Sequence, residues 1–85
     1  MNLQRVQEQL REGTIELEFS LHALAEARKD GLTAEDLIEA AMAGEVVEDY
    51  GERVLLLTFA TDYKIAFHIV LEYASGEPIA TVVTA

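Results

Sequence analysis

Cysteine is absent from the 85 residues and cations are scarce: 6 Lys and Arg stand against 16 Asp and Glu, a formal charge of −10 at pH 7 with both His neutral. Without thiols there is no disulfide framework, no thiol nucleophile and no zinc ribbon. A charge of −10 repels phosphate backbones at long range, so general binding of nucleic acid is disfavoured. No uncharged stretch approaches the ~18 residues that cross a bilayer, and the opening MNLQRVQEQL lacks the apolar run of a signal peptide. The expectation is a cytoplasmic chain with no membrane partner. A phosphate-cradling Gly loop, a Gly-x-Ser-x-Gly elbow and a His-Glu-x-x-His metal helix are all missing, and no cofactor is implied.

Apolar residues make up 51% of the chain, enough for one small core. At this length folding removes roughly 60 to 65% of the unfolded chain's surface from water, so stability should be modest. No linker, repeat or low-complexity stretch interrupts residues 1–85, which read as a single domain.

Leu3, Val6 and Leu10 recur at helical spacing from Asn2 to Glu12, with Gly13 as the stop. Ile15, Leu17 and Phe19 alternate with Thr14, Glu16 and Glu18, the period of a brief extended segment. Ser20 is placed to cap a helix from Leu21 to Asp30 that stops at Gly31. Thr33 and Asp36 form a capping box for a helix from Ala34 to Ala43, closed by Gly44.

Beyond Gly44 the pattern changes to strands: Glu45 to Tyr50, Arg53 to Thr61, Lys64 to Tyr73 and Ile79 to Thr84. The links around Gly51, Thr61-Asp62 and Ser75-Gly76-Glu77-Pro78 are too short for crossover helices, so neighbouring strands must run antiparallel. The fold class expected is α+β, with N-terminal helices packed on a four-stranded antiparallel sheet. In the third of these strands Ile65, Phe67, Ile69, Leu71 and Tyr73 share the face that should meet the helices, while Ala66, His68, Val70 and Glu72 share the other. Val54 to Phe59 is apolar on both faces, which suits a strand covered by helices on one side and by a second copy on the other, a homodimer.

Two histidines are the candidates for catalysis. His22 falls in the first turn of the second helix, where a neutral imidazole can act as a base. His68 falls in mid-strand, and as its partner could donate the proton, the pairing needed to cleave RNA through its own 2′-hydroxyl. Each also has a plainer reading: His22 as a ring bonded to a neighbouring strand, His68 as a half-buried strand residue bonded to a carbonyl or carboxylate. Glu45, Glu48 and Asp49 could bind a divalent cation, with Glu45 and Asp49 on one strand face, but they lack calcium-loop spacing and read better as a solvated acidic edge, so no metal site is assigned. Arg28, Lys29, Arg53 and Lys64 could form a phosphate clamp, but each has acidic neighbours and surface ion pairing is favoured.

Gly13-x-Ile15, Phe19-Ser20-x-His22-Ala23, Gly31-Leu32-Thr33-x-x-Asp36-Leu37, Gly44-Glu45-Val46-Val47-Glu48-Asp49-Tyr50, Phe67-His68-Ile69-Val70 and Ile79-Ala80-Thr81-Val82, taken in order, resemble the bacterial domain of unknown function 4258 family. The resemblance implies a small α+β fold akin to the RelE and MqsR ribonuclease toxins. It also implies a partner, a small zinc-finger antitoxin, and places His22 and His68 at the family's His positions. Two features depart from the family. Its members place Arg four and eight residues after the helix His, where this chain has Glu26 and Asp30, and their closing Thr-Val-Tyr is Thr81-Val82-Val83 here. Electrostatic stabilisation of the phosphate is the largest part of such catalysis, and here its equipment is inverted. The expectation is therefore a toxin-like scaffold serving as a non-toxic or weakened protein-binding or regulatory module. The alternative is an active small endoribonuclease held in check by an antitoxin.

Overall fold

The structure, a computed structural model, describes residues 1–59 and 66–85. Helix formation follows the local signals closely. In α1 (Leu3–Glu12) the Asn2 carboxamide oxygen accepts from the Arg5 N–H at 3.2 Å, and the chain leaves the helix through Gly13 in the left-handed region, φ 78°. In α2 (Leu21–Lys29) the Ser20 hydroxyl has two jobs. It accepts from the Ala23 N–H at 3.0 Å, capping the helix, and donates to the Val83 carbonyl at 2.8 Å, fixing the helix start beside the last strand.

In α3 (Ala34–Ala43) the capping box is complete: Thr33 Oγ1 accepts from the Asp36 N–H at 3.2 Å and Asp36 Oδ2 accepts from the Thr33 N–H at 2.9 Å. Thr33→Ala leaves one helical donor without its partner at an exposed site. The expected cost is about 1 kcal/mol, a fall in melting temperature of roughly 4 to 8 °C for a chain of this size. An unchanged thermal melt would show that packing alone sets the start of α3.

The strands β2 (Glu45–Asp49), β3 (Arg53–Phe59), β4 (Ala66–Glu72) and β5 (Ile79–Thr84) pair antiparallel in sequence order, as the short links require. The expected Thr61-Asp62 link, with Lys64 and Ile65, lies outside the described residues. A four-stranded antiparallel sheet is not what forms. The segment Glu16–Phe19 is β1, a fifth strand, and the order is β1-β5-β4-β3-β2 with β1 parallel to β5. Short links govern only consecutive strands. Between β1 and β5 lie two helices and three strands, ample length for a parallel partner to return to the edge.

Fully buried Val54, Leu56, Ile69, Leu71, Ala80 and Val82 form the sheet's inner face. Against them pack Leu37, Ala40 and Ala41 of α3 and Ala23 and Ala27 of α2, the alanines allowing close approach. Phe67 is half-buried against this core and Tyr73, just past β4, is buried in it, so of the expected inner set Phe67, Ile69, Leu71 and Tyr73 face the core, Ile65 lying outside the described residues. Helix α1 adds Val6 and Leu10 to the same cluster. It is fastened to the end of α3, where Gln7 Nε2 donates to the Ala41 and Gly44 carbonyls at 3.2 and 3.1 Å and Arg11 donates to the Met42 carbonyl at 2.7 Å. All three helices therefore lie on one side of the sheet.

Candidate functional site

Strand alternation leaves the opposite face without a helix among the described residues. Its centre is apolar: Leu55, Leu57 and Val70 are half-buried, and Phe59 at the end of β3 is 61% exposed. Leu55 lies across from Val70, Leu57 from His68 and Phe59 from Ala66, so these side chains form a continuous strip over β3 and β4. Around the strip stand carboxylates. Arg53 and Glu72, paired across the same two strands, are joined at 2.6 Å, so the one cation that the described part of this face carries is already neutralised.

The acidic run on β2 departs from simple alternation. A bulge between Val46 and Glu48 puts Glu45 opposite Leu57 and Glu48 opposite Leu55, both on the helix-free face, while Asp49 lies opposite Val54 on the core side. Glu45 and Asp49 thus do not share a face, because Val47 is the extra residue. Asp49 is engaged locally, accepting from the Gly51 N–H at 2.8 Å. Among the described residues no group of three His, Asp or Glu side chains could hold a metal ion.

His22 is exposed in the first turn of α2, within the helix layer. His68 is exposed on β4, and its place between Phe67 and Ile69 turns it to the helix-free face. Neither ring makes a hydrogen bond or ion pair among the described residues, so neither plainer reading, a ring tied to a strand or a half-buried bonded one, describes them. No contact joins the two rings, and they belong to different layers. On the helix that carries His22, Glu26 sits 3.6 Å from Lys29, and Asp30 ends the helix. Lys29 and Arg53 are thus both in surface ion pairs and do not form a clamp.

A cleft of about 500 Å³ opens elsewhere, between α1 and the turns at Gly51 and Gly76, with Arg5, Gln9, Glu52 and Tyr73 in its wall. The Tyr73 hydroxyl donates to the Glu77 carbonyl at 2.8 Å. Neither histidine and none of the β2 carboxylates reaches this cleft. The helix-free strip is the feature that sequence reasoning saw only in part. Its signal is the two-sided apolarity of Val54 to Phe59, whereas the bulge hides from the sequence that Glu45 and Glu48 share one face.

Among the described residues, three helices on one face of a five-stranded mixed sheet, with an uncovered apolar strip on the other, define an α+β class of small protein. The chain belongs to the family described as Domain of unknown function (DUF4258), whose model matches residues 19–85. That span runs from the end of β1 through β5, leaving α1 outside it. No curated protein and no solved structure matches the chain. No helix among the described residues is long and apolar enough to cross a membrane.

Proposed function

We propose that this chain, on a scaffold of the kind used by the RelE and MqsR toxins, is a protein-binding module whose working surface is the helix-free face of the sheet. The observation that carries this reading is the apolar strip itself. Leu57 and Phe59 lie on a surface that no element of the described chain covers, and an apolar centre with a polar rim of carboxylates is the layout of a protein-binding surface. Against catalysis stands the charge. RNA cleavage by internal attack needs an acid, a base and cations around the phosphate. His22 and His68 lie in different layers, and the side chains one and two turns beyond His22 are the carboxylates Glu26 and Asp30.

The test is cleavage of single-stranded RNA, with growth arrest on expression, for the wild type and for His22→Ala combined with His68→Ala. No cleavage that depends on the two histidines is expected, since two unsupported imidazoles supply at most the ~10² to 10⁴ of general acid/base catalysis. Cleavage by the wild type that the double variant lacks would instead establish the endoribonuclease reading.

A further inference from the structure

We infer that the partner of the helix-free face is a basic amphipathic helix of another protein, lying across β2, β3 and β4 with its apolar stripe on Leu55, Leu57 and Val70 and its Lys or Arg side chains on Glu45 and Glu48. The inference rests on the protein-binding reading above and gives the partner its chemistry. Three observations select it.

The first is charge. Glu45 and Glu48 on β2 and Glu16 and Glu18 on β1 are exposed, and all four fall on this face by register. None has an ion-pair partner among the described residues, and Arg53 is spent on Glu72. A second copy would bring the same carboxylates against themselves, a like-charge contact that costs binding energy. A cationic partner gains directly from Glu45 and Glu48 beside the strip, and at longer range from Glu16 and Glu18 two strands beyond β4.

The second is size. The two strands β3 and β4, ~4.8 Å apart and carrying their side chains, and the five-residue run from Leu55 to Phe59 at ~3.3 Å per residue bound an apolar strip on the order of 10 to 15 Å each way. That is on the order of 200 Å², well short of the ~800 Å² per partner of a standard interface between two folded surfaces. It matches the ~10 to 12 Å width of one helix and the length of two to three turns.

The third is the edge. A partner adding as a strand would have to pair with one of two edges: β2, which is bulged at Val47 and carries Glu45, Glu48 and Asp49, or β1, which is only four residues long and carries Glu16 and Glu18. Bulges, short length and charge all discourage strand addition. The face, not the edge, is the open route.

The probe is a fluorescent synthetic helix with Leu at i, i+3, i+4 and i+7 and Lys elsewhere, titrated with the full chain by polarisation at low and high salt. A second peptide with Ser in place of every Leu keeps the charge. Glu45→Lys with Glu48→Lys is compared with Glu8→Lys and Glu12→Lys, which make the same charge change at exposed positions of α1. Leu57→Thr removes apolar surface while keeping a strand-forming residue, and circular dichroism verifies the fold of each variant. The Leu peptide should bind, weaken with salt, and lose roughly tenfold in affinity against the β2 pair or Leu57→Thr, but under about threefold against the α1 pair. Equal losses for the two charge pairs, or equal binding of the Ser peptide, would mean that net charge alone acts and would overturn the inference. If the Leu peptide fails to bind while light scattering shows a dimer that Leu57→Thr disrupts, the protein-binding reading stands with a second copy as occupant, and only the basic helix is lost.

Discussion

Gly44→Ala is expected to destabilise the chain by about 2 to 3 kcal/mol, a drop in melting temperature of roughly 10 °C or more, although the backbone there is ordinary. Gly44 has φ −65° and ψ 152°, a conformation open to any residue. The obstacle is space. A Cβ at this position would lie 2.5 Å from the Ala40 carbonyl oxygen and 3.2 Å from Leu56 Cβ. The nearer atom is backbone, so no rotamer change relieves it, and the same carbonyl accepts the Gly44 N–H at 2.8 Å. The Gly44 carbonyl in turn accepts from Gln7 at 3.1 Å, so a shift here loosens α1, α3 and β2 together. Gly13→Ala is the control. With φ 78° and nothing within 4 Å of a new Cβ, it should cost only the ~1 kcal/mol of a left-handed alanine. Thermal melts of both variants decide the matter: a Gly44→Ala protein at least as stable as Gly13→Ala would mean that α3 and β2 do not meet as described.

Gly44 also shows what a sequence can and cannot disclose. Read by position, it is a helix stop like Gly13, and the helix does stop there; its reason is close packing, against the Ala40 carbonyl four residues back and against Leu56 twelve positions on, and the second contact is one that periodicity cannot reveal. The caps at Ser20 and Thr33 were legible because donor and acceptor are three residues apart and the chemistry is local. The inner face of β4 was legible because alternation is regular there. The place of β1 was not, since its pairing with Ile79 to Val82 spans most of the chain and leaves no local trace. The Val47 bulge escaped for a related reason. Glu45, Glu48 and Asp49 have the spacing of an unbroken strand, and only the register against Val54 to Leu57 shows that one residue is extra. For the histidines, helix, strand and face were all legible, since alternation with the apolar Phe67, Ile69 and Leu71 turns His68 away from the helix layer that carries His22.

That sidedness makes Leu37 the most consequential core position to truncate. Its side chain is fully buried, among the largest of those that are, and it descends from α3 into the cluster that holds Leu56, Ile69 and Leu71. Removing it leaves a void, and the cost depends on whether the neighbours can close in. Here they are held. The start of α3 is pinned by the Thr33 and Asp36 capping box, its end by Gln7 and Arg11 of α1, and the sheet beneath by three antiparallel pairings. Leu37→Ala should therefore fall in the upper half of the ~2 to 5 kcal/mol range for such substitutions, a large part of the ~4 to 13 kcal/mol expected for a chain of this length. Phe67→Ala should cost less, about 1 to 3 kcal/mol, because Phe67 is only half-buried at the margin of the same cluster. Leu57→Thr, on the helix-free face, should cost under about 1 kcal/mol while removing partner binding. Urea unfolding of the three variants gives the order directly. Should Leu57→Thr prove the most destabilising and Leu37→Ala nearly silent, the core would lie on the face opposite the helices, and the interaction surface would be lost with it.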